Sequence, residues 1–90
     1  SPVRFDVLDA ENFVIRSSEP MSAVMIEGLY ENTDFVVDWL PRRKEAYVRL
    51  LAHRGALRFR VETALPSGLK SRHSWTLPAP ASNRPPSTAP

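Results

Sequence analysis

An α+β fold is expected: a small antiparallel sheet or partly open barrel of about five strands with one helix, in the order ββββαβ, followed by an extended Pro-rich tail. Three observations predict it. Residues before Leu65 alternate apolar and polar mainly at the strand period of two. One stretch, "PRRKEAYVRLLAHRG" at 41–55, changes to helical spacing. Six of the nine prolines lie beyond Leu65, at 66, 78, 80, 85, 86 and 90, with serine, alanine and threonine between them. The chain thus divides into a compact β-rich domain, 1–65, and an extended Pro/Ser/Ala-rich C-terminal arm, 66–90.

The elements follow in order. In "VRFDVL", Val3, Phe5 and Val7 face one way, while Arg4 and Asp6 face the other. "DAEN" is a turn and "FVIR" resumes the strand pattern, so a hairpin is expected over 3–16. "SSEPMS" interrupts the alternation. "VMIEGLY" and "FVVDWL" then flank "ENTD" and read as a second hairpin. A short helix over 19–27 is the rival reading there, since Met21, Val24 and Met25 fall at helical spacing and Gly28 suits a cap.

For 41–54 a helix is expected. Ala46, Tyr47, Leu50 and Leu51 make one helical face, Asp38 suits the N-cap, Pro41 the first turn, and Gly55 the stop. The alternative is a strand hairpin turning at "HRG", because Val48 lies off that face. "ALRFRVETAL" returns to strict alternation, with Leu57, Phe59, Val61 and Thr63 inward and Arg58, Arg60 and Glu62 outward. Inside the arm, "SRHSWTL" reads as one short extra strand anchored by Trp75.

The net charge of +2 conceals an asymmetry. Residues 1–40 hold two cations against eight anions, a net −6, and residues 41–90 hold ten cations against two anions, a net +8. Such a division points to an electrostatic partner, unless the two halves neutralise each other within one domain. Arginine outnumbers lysine ten to two, which suits phosphate, carboxylate or interface pairing.

Several chemistries are excluded or left without a motif. The chain has no cysteine, hence no disulfide and no thiolate metal site. A small domain without such staples fits an intracellular (cytoplasmic) setting or a place in an assembled particle. No apolar run approaches the roughly 20 residues needed to span a bilayer, so no membrane partner is expected. "SPVRFDVLDAENF" lacks the pattern of a secretory leader. Asp6, Asp9, Glu11 and Asn12 surround the first turn, but their spacing is not that of a calcium loop. His53 and His73 have no nucleophile and acid placed to join them in a relay. Phosphate-loop, dinucleotide and zinc-protease motifs are absent, and no cofactor is expected.

The expectation is therefore a non-enzymatic interaction or assembly module, a small structural subunit that associates with itself or with other protein subunits. Acidic and basic surfaces and the C-terminal arm would serve that association. The interaction residues are Arg42, Arg43, Arg49, Arg58, Arg60, Arg72 and Trp75. The alternative is a nucleic-acid-binding small barrel, OB-like or SH3-like, which would require those cations to merge around an exposed ring.

Overall fold

The computed structural model describes residues 3–53, 55–64 and 66–78. Seven antiparallel strands build two sheets: β1 (Val3–Val7), β2 (Asn12–Ser17), β3 (Met21–Ile26), β4 (Phe35–Trp39), β5 (Glu45–Leu50), β6 (Leu57–Ala64) and β7 (Lys70–Leu77). One sheet has the order β1-β2-β5-β4 and the other β3-β6-β7. This corrects the α+β expectation, since the described residues form an all-β sandwich whose sole helical piece is a single 3₁₀ turn at Pro41–Arg43.

The helix expected over 41–54 is β5. Its inward residues are Ala46, Val48 and Leu50, all buried, while Tyr47 and Arg49 are exposed on the other side. Ala46 and Leu50 are four apart, which suits both periods, but Val48 completes only the strand pattern. A central position between β2 and β4 then fixes the choice, because a strand there satisfies its backbone on both sides. Glu45 faces Arg16 across β2 instead of reaching along a helix to Arg49. Gly55 caps no helix: a Cβ there would lie 2.9 Å from His53 Nε2.

The 3–16 hairpin forms as β1 and β2, in register from Val3↔Ser17 to Val7↔Phe13. The second expected hairpin does not. "ENTD" does turn, with Asp34 N–H donating to the Tyr30 carbonyl at 2.8 Å, but β3 and β4 enter different sheets. No helix replaces β3 over 19–27. The strand inside the arm is present as β7, paired with β6 over all eight residues. The extended reading of 79–90, and the side chains of Arg54 and Leu65, lie outside the described residues.

The inward rows of the two sheets make one core. Phe13 of β2 and Phe59 of β6 meet edge to face at 5.2 Å, and Phe5 of β1 lies 4.8 Å from Phe59. Phe5 also stacks on Trp75 of β7 at 5.4 Å, which closes one flank of the sandwich. This strand order is the one that constant-type immunoglobulin sandwiches use, with the second and sixth strands facing each other across the core. Those domains join that strand pair by a disulfide. Here two phenyl rings bridge it without a covalent bond, and strand order alone carries no function.

The opposite flank is closed by Arg43. Its guanidinium donates to the carbonyls of Met21 (2.8 Å) and Ser22 (3.1 Å) on β3 and lies 3.8 Å above the Trp39 ring of β4. The backbone is bent to deliver it, since Arg42 and Arg43 both adopt left-handed conformations, with φ of 71° and 56°. Such a conformation costs an L-residue about 1–2 kcal/mol, and glycine adopts it freely. Arg42→Gly is accordingly expected to raise stability by about 0.5–1 kcal/mol, read as a higher denaturation midpoint.

Candidate protein interaction surface

The antiparallel registers sort the connecting segments onto two poles. One pole carries Ser18–Pro20, Leu40–Lys44 and residues 66–69, held together by Ala64 N–H donating to Pro20 O and by Arg43 reaching β3. The other pole carries the β1–β2 turn, segment 27–34 and, of the segment before β6, residues 51–53 and 55–56. Leu50 N–H donates there to Glu11 O at 2.7 Å, and Leu51 N–H to Asp34 O at 2.8 Å.

Charge follows that division. The first pole presents Arg42 and Lys44, both exposed and without an ion-pair partner among the described residues, with Glu19 half-buried nearby. The second presents Asp9, Glu11, Glu31 and Asp34, with Glu27 at its edge paired to Arg58. Asp9 carries its charge firmly, because the backbone N–H of Glu11 and then the side-chain amide of Asn12 donate to it and hold its pKa below the usual value. Each pole also exposes apolar surface beside its charges. Leu69 is 67% exposed at the basic pole, and Tyr30 and Leu8 are 75% and 56% exposed at the acidic one.

On the sheet faces opposite charges interleave, evenly on the four-stranded sheet and with cations in excess on the three-stranded one. On the outside of the four-stranded sheet, Arg16 pairs with Asp6 at 3.2 Å and reaches Glu45 at 3.8 Å. On the outside of the three-stranded sheet, Glu62 receives Lys70 at 3.5 Å and Arg72 at 3.6 Å, while Arg58 meets Glu27 at 3.7 Å. Arg60 lies between them with no ion pair among the described residues. It lines a depression of about 430 Å³ with Met25, Arg58, Ser74 and Thr76. A second hollow of about 280 Å³ lies on the opposite face beside Leu8, Val36, Tyr47 and Arg49.

The seven sequence-derived interaction residues therefore separate. Arg58, Arg60 and Arg72 share one outer face, Arg49 lies on the other, and Arg42 lies at a pole. Arg43 is engaged in joining the sheets. Trp75 is half-buried against Phe5 rather than presented as a free ring. The acidic surface expected from the −6 charge of residues 1–40 had no residues named for it; Asp9, Glu11, Glu31 and Asp34 lie together at the second pole.

Among the described residues, no group of three or more His, Asp or Glu is gathered closely enough to hold a metal ion, and no helix is long and apolar enough to cross a membrane. No protein family, curated protein or solved structure matches the chain.

Proposed function

We propose that this domain is a non-enzymatic association module whose copies meet head to tail, the basic pole of one on the acidic pole of the next. The segregation of charge onto opposite poles, while the outer face of the four-stranded sheet stays internally neutralised, is the observation that supports it. Apolar side chains set among like charges at each pole resemble an interface, in which desolvated contacts sit inside a polar rim. A contact between two different surfaces is heterologous, so it produces a ring if the rotation closes and a filament if it does not. The nucleic-acid reading has less support: its cations divide among separate surfaces, and Trp75 is turned into the sandwich.

Sedimentation of the full chain over a range of concentrations tests the proposal. Association is expected at about 0.01 M salt and should weaken strongly at about 1 M, where the Debye length falls from roughly 30 Å to roughly 3 Å. The double variant Arg42→Glu/Lys44→Glu should remain monomeric, as should Glu11→Lys/Glu31→Lys. Mixing the two should restore association, because each supplies the pole the other lacks. A native chain that stays monomeric at low salt and high concentration would overturn the proposal.

A further inference from the structure

An edge strand offers a row of free N–H and C=O groups to any chain that can extend beside it, and proteins usually blunt such edges. Three of the four edges here are blunted. β3 carries a bulge between Met21 and Ala23, and Arg43 occupies two of its carbonyls. β1 and β4 are five residues each, and β4 runs directly into the Leu40–Pro41 turn. β7 differs: its eight residues keep unbroken register with β6, with no bulge and no proline.

The direction of its backbone groups follows from β6. Glu27 N–H donates to Arg58 O, and Ala64 N–H to Pro20 O, so the even-numbered residues of β6 turn their backbone toward β3. Its odd-numbered residues turn toward β7, opposite Ser71, His73, Trp75 and Leu77. By alternation, the N–H and C=O groups of Arg72, Ser74 and Thr76 point to the open edge.

We propose that this edge accepts an added β-strand from another protein, an extended acidic segment with carboxylates on alternate residues. Backbone pairing would supply attachment and alternate side chains the selection, as in strand-addition complexes. The outer row of β7 begins with Lys70 and Arg72, which share the single carboxylate of Glu62, and Arg60 lies on the next strand without an ion pair among the described residues. Carboxylates of an added strand would face that row. The intervening apolar residues would cover Trp75 and Leu77, and Val7 of β1, which is 53% exposed near the same flank. A second copy of β7 is the wrong occupant, since it would bring two more cations to the same outer face and no carboxylate. The edge lies along the flank of the sandwich, so this inference stands apart from association through the poles.

The test titrates an acetylated peptide of alternating glutamate and valine, about eight residues long, into the full chain. Calorimetry and amide exchange are read together. Saturable binding is expected, with new protection at the amides of Arg72, Ser74 and Thr76. Lys70→Glu/Arg72→Glu should weaken binding by about tenfold or more, equivalent to about 1.4 kcal/mol. Ser74→Pro removes an edge-facing N–H while leaving the ladder to β6, and should abolish binding. If that variant fails to fold, the same peptide N-methylated at alternate residues replaces it and should not bind to the native chain. Equal binding of a lysine–valine peptide, or protection confined to other residues, would overturn the proposal. So would protection of the three amides in the free chain: at every concentration it would mean that the chain covers its own edge, and only with rising concentration that a second copy does.

Discussion

Phe59→Ala is expected to leave the domain largely unfolded at room temperature. The ring is 1% exposed and touches both Phe5 and Phe13, so it is the point where the inward rows of the two sheets meet. Truncating a buried phenylalanine costs about 3–5 kcal/mol, through lost transfer energy and the cavity left behind. A core this small, with no disulfide beside it, rarely supplies more than about 3–5 kcal/mol of net stability, so the loss removes most or all of it. The chain has no cysteine, so no disulfide limits the loss. Urea denaturation of the native chain and the variant gives the measurement. A loss below about 1 kcal/mol would show that the rings do not hold the sheets together. Phe59→Leu keeps most of the volume and should cost much less.

Arg43→Ala is expected to be the largest effect outside the core. Two hydrogen bonds from a charged donor and one cation–π contact join β3 to β4 through this side chain. Their removal should cost about 2 kcal/mol. Arg43→Lys should recover little, since an ammonium cannot reproduce the planar fork that reaches both carbonyls and stacks on Trp39. A second readout follows from the position. The substitution uncovers the Met21 and Ser22 carbonyls on the free side of β3, so light scattering near the unfolding midpoint should rise faster than for the native chain. Unchanged stability and unchanged scattering together would remove the cross-sheet role.

How far these features were legible in the sequence depends on what each one leaves there. β1, β2 and β6 were readable because alternation with one buried face is a local signal, and β7 was readable from "SRHSWTL" despite the prolines around it. β5 was misread because Ala46 and Leu50 satisfy two periods, and Val48 alone separated them. Pairing partners were harder still. "ENTD" forms a turn, but a turn does not say whether the strands beside it stay in one sheet, and β3 instead joins β6, more than thirty residues onward. Arg43 looked like a cation on a helix because its partners are backbone carbonyls at Met21 and Ser22, groups that every residue carries.

The charge asymmetry was half legible for a topological reason. Strands from the acidic and basic halves are mixed within both sheets, with β5 between β2 and β4 and with β3 beside β6, so their charges meet on the faces. Two of the three segments at one pole come from the acidic half, and two of three at the other from the basic half. Segregation therefore survives at the poles, disappears on the four-stranded face and persists as a basic excess on the three-stranded one.

The same arrangement sets how the domain would respond to force. β1 enters at the basic pole and β7 leaves at the acidic pole, so tension between Val3 and Leu77 runs along the strands. β1 is bonded to β2 and β7 to β6, and neither ladder can open one pair at a time under that pull. Each must slide, with its bonds loaded in parallel. The ladder of β1 has five residue pairs and that of β7 has eight, so β1 is the strand that shears away first.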